Sequence, residues 1–137
     1  MSELIRRADA TRLTINKYRA RPFDWKTRST CIHMVRSHLR NMGHRPPAVP
    51  DFRSVIGARR ALEKTGHKDL TALLDSLLPR IAPAEMLVGD IAVLPGDEGM
   101  ECIVISAGGK LLGYHLDAPD GVKPLLATIP LTAAWRA

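Results

Sequence analysis

The sequence predicts an α+β domain in which about four helices precede a small antiparallel sheet. Over the first 80 residues, apolar side chains recur at steps of three and four, the period of an amphipathic helix. After Pro83 the pattern changes to short β-prone runs separated by turns rich in glycine, proline and aspartate. Helices grouped first and strands grouped second are typical of the α+β class.

Each predicted helix begins at a side chain that can accept a hydrogen bond from the free backbone N–H groups of a first turn. A glycine, a proline or the Arg21-Pro22 step ends each helix. The predicted helices cover residues 3–19 after Ser2, about residues 30–42 with Ser29 or Thr30 as cap, a segment from Ser54 to Gly66, and residues 70–78 after Asp69.

The first predicted helix has one apolar face and one basic face. The arginines and the lysine of this helix, Arg7 among them, mostly fall off the apolar face and are expected to be solvated. The side chains expected to be buried are Leu4, Ala8, Thr11, Ile15 and Tyr18.

The second part of the chain predicts a meander of short strands. Turns are expected at residues 95–99, 108–109 and 117–121, and Trp135 is expected to anchor the last residues to the core. The last strand contains Pro124 and Pro130, which favours an edge position. The predicted strands are residues 91–94, 101–106, 110–115 and a final one within 122–131.

Length and composition indicate one globular domain spanning residues 1–137, with 45% hydrophobic and 25% charged residues. No apolar run approaches the length of a membrane span or resembles a signal peptide, so the expected location is the cytoplasm or a particle assembled there. The two cysteines are then expected to be thiols. No Cys/His cluster has the spacing of a zinc site, and we expect neither a metal nor a cofactor.

Charge is distributed unevenly along the chain. Residues 1–80 hold 17 Lys and Arg against 7 Asp and Glu, a net +10, whereas residues 81–137 hold 3 against 7, a net −4. A basic half indicates either an anionic partner such as nucleic acid or simply solvated helix faces. With two Trp, two Tyr and two Phe, the chain offers few platforms for stacking single-stranded bases.

Cys31 falls in the first turn of the second predicted helix, after the aromatic segment of Phe23 and Trp25. A thiol there feels the positive end of the helix dipole, which favours the nucleophilic thiolate. The alternative is a small apolar side chain packed into the core, a common place for cysteine. The spacing alone leaves both interpretations open.

A cysteine at a helix start, followed along the chain by a small antiparallel sheet, is the layout of papain-like hydrolases. Over about residues 4–136 the chain resembles an uncharacterised family encoded in phages and prophages, which is similar to NlpC-type cell-wall cysteine peptidases and lies among tail-assembly genes. The motifs that carry this resemblance are Phe23 and Trp25 before Cys31, Gly57–Leu62 with Gly66, Gly89–Val93, and Ala134–Arg136.

The resemblance implies roles for individual positions. Cys31 falls at the nucleophile, and Gly89-Asp90 falls at the turn that opens the first core strand. Glu101 stands where the peptidases have their histidine, and a carboxylate cannot act as an imidazole does at neutral pH without a large pKa shift. His115, at the end of the following strand, is the remaining candidate base on the sheet side.

The function that the resemblance implies is a tail-associated structural or assembly protein with a papain-like, NlpC-like fold and a degenerate catalytic site. Its partners would be other tail proteins, in the bacterial cytoplasm during assembly and then in the virion. One alternative is an active cysteine hydrolase acting on peptidoglycan through Cys31 and His115. Another is a nucleic-acid-binding domain that uses Arg36, Arg40, Arg59, Arg60 and Lys64.

Overall fold

The computed structural model describes residues 2–96, 100–115, 118–125 and 131–137, and these residues form an α+β fold, as predicted. The helices come first and pack on a sheet built by the later residues. The helices are α1 (Glu3–Tyr18), α2 (Cys31–Asn41), α3 (Val55–Lys64) and α4 (Leu70–Leu77), with a 3₁₀ turn at Pro83–Glu85. The strands are β1 (Arg80–Ile81), β2 (Ile91–Leu94), β3 (Cys102–Ser106), β4 (Leu111–His115), β5 (Ala118–Leu125) and β6 (Ala133–Trp135).

The sheet is antiparallel throughout, with strand order β1-β6-β2-β3-β4-β5. Strand β6 lies between β1 and β2, so that Trp135 pairs with both Arg80 and Ile91. The Trp135 side chain is fully buried, which confirms its predicted role as an anchor. Strands β1 and β6 were not predicted, because two or three residues are too few to show a period.

The predicted caps are confirmed at all four helices. The side chains of Ser2, Thr30, Ser54 and Asp69 each accept a hydrogen bond from a backbone N–H in the first turn of the helix that follows. For α2 the cap is Thr30 rather than Ser29, which places Cys31 as the first helical residue. The helix boundaries therefore agree with the predictions to within a residue or two.

The predicted buried face of α1 is wrong in part. Leu4 is 62% exposed, whereas Arg7 is only 3% exposed and lies in the interior. Arg7 is buried because Asp90 and two backbone carbonyls receive its guanidinium there, a set of partners that helical periodicity does not show.

The predicted turn at residues 117–121 is also wrong where the structure describes it. Residues 118–125 form one strand paired with β4, and Gly121 allows this because the backbone of Arg19 approaches it too closely for a side chain. Strand β5 is an edge strand, as its proline predicted. Residues 97–99, Asp117 and Pro130, on which other turn and strand predictions fall, lie outside the described residues.

Helix α2 packs against β3, and the main core lies between the helices and this face of the sheet. An aromatic cluster secures the loop before α2. Phe23 makes edge-on contacts with Trp25 and Tyr114. Trp25 contacts Phe52 in the proline-rich connector, which is the segment of residues 44–53 between α2 and α3. Phe23 and Trp25 thus anchor the loop to the core.

Within the described residues, no helix has both the length and the apolar character needed to cross a membrane.

Candidate functional site

Cys31 is a buried thiol at the start of α2, with 8% of its surface exposed. Burial raises the pKa of Cys31, and the Glu101 carboxylate acts in the same direction. Hydrogen bonding from backbone groups, foremost that of Ile103, lowers the pKa but does not compensate for burial. The backbone groups of Cys31 and Ile32 at the helix start make smaller contributions of the same sign, and desolvation outweighs all of them.

A tyrosine on β4 lies near this thiol. The hydroxyl of Tyr114 donates to the carbonyl of Arg21 at 3.0 Å and lies 3.1 Å from the Ser29 hydroxyl. Because the single Tyr114 proton is directed to that carbonyl, Ser29 is the donor to Tyr114. Burial raises the pKa of Tyr114, with a smaller contribution of the same sign from Cys31. A neutral phenol held in this way is not a base at neutral pH, and it joins β4 to the loop before α2.

Glu101 caps helix α4. Its Oε1 accepts the backbone N–H of Leu70 at 2.8 Å and that of Thr71 at 3.3 Å, and its Oε2 accepts the Thr71 hydroxyl. Asp69 caps the same helix through the N–H of Ala72. At the position where the resemblance implies a histidine, the chain therefore has a carboxylate whose two oxygens are both occupied by a helix N-terminus.

The candidate base His115 ends β4, and its side chain lies outside the part of the chain that the structure describes. The other histidines nearest Cys31 in sequence are occupied by other partners. His33 Nδ1 lies 2.8 Å from the hydroxyl of Thr30, and burial, followed by the charges of Arg28 and Arg36, lowers the pKa of His33 to about 4.

His38 is fully buried and bridges α1 to the turn before β2. Its Nε2 lies 2.7 Å from the carbonyl of Gly89, and its Nδ1 lies 2.8 Å from the hydroxyl of Thr14. A carbonyl only accepts, so Nε2 carries the proton of the neutral ring. Nδ1 is then the acceptor facing the Thr14 hydroxyl, whose proton is shared with the carbonyl of Ala10. Burial lowers the pKa of His38 to about 4, which keeps the ring neutral at pH 7.

The Gly89-Asp90 pair sets the turn that opens β2, in keeping with the role that the resemblance implies. Gly89 has φ +88°, and a Cβ there would lie 3.0 Å from the Thr11 hydroxyl. Asp90 is fully buried, and its carboxylate receives the Arg7 guanidinium, the N–H of Ala137 at 2.9 Å and the N–H of Leu87 at 2.8 Å. These contacts join α1, β2 and the residues after β6.

Sequence reasoning missed this cluster around Asp90, although one signal was present. An aspartate directly before a strand of four apolar residues is a charge at the edge of a core, and such a charge needs a partner. The sequence does not show which of the many arginines is that partner. The structure identifies it as Arg7, with Arg136 Nη1 also 3.0 Å from Asp90 Oδ2.

The basic residues of the nucleic-acid alternative lie on two helices. Arg59, Arg60 and Lys64 are exposed on α3, and Arg40 is exposed on α2. Arg36 is half-buried, and its Nε donates to the carbonyl of Pro47 at 2.9 Å. Arg36 is thus held against the connector rather than free in solvent.

Among the described residues, no three His, Cys, Asp or Glu side chains are grouped so that they could hold a metal ion. The residues around Cys31 offer a buried thiol, a neutral phenol, a helix-capping carboxylate and hydroxyls. That set is suited to packing α2 on the sheet, and it contains no described group placed to deprotonate the thiol.

A search of curated proteins finds no match to this chain. One family model matches residues 5–137, and its description is "Domain of unknown function (DUF6950)". Because this match spans almost the whole sequence, the chain belongs to the DUF6950 family.

Proposed function

We propose that this domain is a catalytically degenerate, papain-like (NlpC-like) domain that acts by binding other proteins in the assembly of a phage or prophage tail. One observation carries the absence of catalysis in this proposal. The Cys31 thiol is buried with a raised pKa, and the residue at the expected histidine position, Glu101, caps helix α4.

A cysteine hydrolase needs a thiolate that a substrate can reach. Burial works against both requirements. It disfavours the charged thiolate form of the cysteine, and it keeps the carbonyl carbon of a substrate from reaching the sulfur. The Glu101 carboxylate is held by two N–H groups and a hydroxyl, so taking a proton from Cys31 would weaken the cap of α4. These features favour a domain that keeps the packing of a peptidase without its reaction.

The tail-assembly part of the proposal is supported by the sequence motifs that resemble proteins encoded among phage tail genes. It implies protein partners in the bacterial cytoplasm during assembly and a place in the finished virion. Co-expression with the products of the neighbouring tail genes tests it, followed by size-exclusion chromatography. A stoichiometric complex with one of them supports the proposal, whereas separate elution from all of them contradicts it.

The non-catalytic part is tested by incubating wild type and Cys31→Ala with peptidoglycan fragments and following product release by mass spectrometry. We expect no turnover by either protein. Turnover by the wild type that Cys31→Ala abolishes and His115→Ala reduces would instead establish the hydrolase, with Cys31 as nucleophile and His115 as base.

A further inference from the structure

A polar pocket lies between the end of α1, the loop before α2 and one side of α2. Its volume is about 330 Å³. We call it the basic pocket, and its lining residues are Lys17, Tyr18, Arg21, Thr27, Arg28, His33, Arg36, Ser37 and Val49.

Among the described residues, the lining of the basic pocket carries only positive charge. Four of its nine described lining residues are Lys or Arg, and none of the nine is Asp or Glu. Surface cations in folded proteins usually have acidic neighbours, because like charges gathered in one concavity repel one another and destabilise the compact state. Among the described residues, none of the four cations forms an ion pair with a carboxylate. The missing negative charge is what a bound anion would supply.

Contacts other than ion pairs hold the four cations around the pocket. Arg28 Nη2 donates to the carbonyl of Val49 at 3.2 Å, and Arg36 Nε donates to that of Pro47 at 2.9 Å. On the opposite wall, the Lys17 ammonium and the Arg21 guanidinium lie 5.5 and 5.2 Å from the centre of the Tyr18 ring. The guanidinium groups of Arg21, Arg28 and Arg36 are each held by one such contact. Their other N–H groups therefore remain able to donate to a ligand.

Neutral hydrogen-bond donors complete the lining. The Thr30 hydroxyl oxygen accepts the backbone N–H groups of Ile32 and His33, so its own proton is directed to His33 Nδ1. The proton of the neutral His33 ring is therefore on Nε2, which has no hydrogen-bond partner among the described residues. The hydroxyls of Tyr18 and Ser37 lie 3.1 Å apart, and Lys17 donates to Ser37 at 3.3 Å. A pocket of cations, an imidazole N–H and hydroxyls is rich in donors and poor in acceptors.

The backbone of Arg28 has φ +59°, and among the described residues it is the one non-glycine residue at positive φ. A side chain larger than that of Asn or Gly rarely adopts this left-handed conformation, because its Cβ then lies too close to the following carbonyl oxygen. The bridge between Asp24 and Ser29 closes the tight turn that holds Arg28 there. Strain of this kind persists where the surrounding structure imposes it, and it is often found at ligand sites.

We propose that the basic pocket binds the phosphate group of a small phosphorylated molecule, or inorganic phosphate itself. A compact dianion matches the excess of donors, and the guanidinium groups of Arg28 and Arg36 suit phosphate oxygens because each presents a planar fork of N–H groups. The volume admits a phosphate with a short organic group attached. This function is independent of Cys31 and of any tail partner.

Isothermal titration calorimetry of the full chain at constant chloride concentration tests the proposal, with inorganic phosphate and glycerol phosphate as separate probes. We expect saturable 1:1 binding of at least one probe. Glycerol phosphate binding about tenfold tighter would identify an esterified phosphate as the ligand, and equal or weaker binding would identify the free anion. Absence of saturable binding by both probes, or binding only of a short DNA duplex, would overturn the proposal.

Matched variants locate the site. Lys17→Gln/Arg28→Gln removes two charges from the pocket, and Arg59→Gln/Arg60→Gln removes two charges from the exposed side of α3. We expect the first variant to weaken binding by roughly tenfold or more, as the loss of charge-assisted hydrogen bonds predicts, and the second to stay within about twofold. Circular dichroism establishes that both variants are folded. Equal weakening by the two variants would show general attraction by net charge and contradict a pocket.

Discussion

The carboxylate of Glu101 accepts the backbone N–H of Leu70 at 2.8 Å, so the residue before β3 closes the N-terminus of α4. This contact joins the helical part of the chain to the sheet across 31 positions of sequence. It also gives a structural reason for an acidic side chain at a place where the resemblance to cell-wall peptidases implies histidine.

Replacing Glu101 tests this capping role. We expect Glu101→Ala to lower the free energy of unfolding by about 1–2 kcal/mol, because the N–H groups of Leu70 and Thr71 lose their acceptor. Glu101→Gln keeps an acceptor oxygen and should lose about half as much. Urea denaturation measures both, with the exposed Glu63→Ala as control. Equal stability of wild type and Glu101→Ala would contradict the cap.

The buried pair of Arg7 and Asp90 gives a second prediction. Arg7→Met removes the buried cation from the Asp90 carboxylate and leaves it only the partly exposed Arg136. Removal of one partner of a buried pair typically destabilises by about 3–5 kcal/mol. Arg12→Met, in the same helix, removes an exposed arginine 3.7 Å from Asp9 and should change stability by less than about 1 kcal/mol. Chemical denaturation measures the free energy of unfolding of both variants. Similar losses of stability in the two would show that the buried Arg7–Asp90 pair contributes no more than an exposed ion pair.

The helices were predictable because their start signals are local. A side chain such as that of Ser54 or Asp69 caps the N–H groups two or three positions later. The cap and the helix start therefore lie close together in the sequence, where a local pattern can identify them. The burial of Arg7 was not predictable in this way. Its partner lies 83 positions away, and helical periodicity alone ranks an arginine as a surface residue.

The buried histidine should make stability depend on pH. The pKa of His38 is about 4 in the folded protein against about 6.5 in an unfolded chain, so between these values the unfolded state binds a proton that the folded state does not. His38 should therefore lower the free energy of unfolding by roughly 3 kcal/mol as the pH drops from about 6.5 to about 4, and His33, whose pKa is also about 4, should act in the same direction.

The variant His38→Gln isolates this effect. We expect its free energy of unfolding to depend less steeply on pH across the same window than that of the wild type. The difference in slope should correspond to about one bound proton at most. His67→Gln, at a half-exposed position in a turn, serves as the control and should keep the wild-type slope. The account of His38 fails if its replacement leaves the slope unchanged.

Two glycines at positive φ distinguish backbone strain from close packing. Gly89 and Gly43 have φ +88° and +96°. A Cβ on Gly89 would lie 3.0 Å from Thr11 and 3.1 Å from Met42, whereas one on Gly43 would have no atom of the described residues within 4 Å. Both alanine variants incur the left-handed backbone penalty of about 1–2 kcal/mol. Gly89→Ala should lose at least about 1 kcal/mol more. Thermal or urea unfolding measures the difference, and equal losses would contradict the packing argument.

Residue types and spacing predict some features of the candidate site and not others. Cys31 was placed correctly in the first turn of α2, with Thr30 as one of two predicted caps, because a helix start is a local feature. Whether the helix dipole or desolvation decides the state of the thiol depends on what packs over it, namely Ile103 on β3 and Tyr114 on β4. The positions of those strands relative to α2 depend on the register of the sheet. The spacing of residues in α2 carries no information about that register.

The rate at which Cys31 reacts with a small alkylating reagent, followed against pH in a Cys102→Ser background, tests the central claim most directly. In that background Cys31 is the single cysteine, and the same protein in urea gives the rate of an accessible thiol. A buried thiol with a raised pKa predicts labelling many-fold slower in the folded protein, with any inflection above the free-thiol value of about 8.5. Rapid labelling of the folded protein with an inflection well below that value would contradict the account and re-establish Cys31 as a nucleophile.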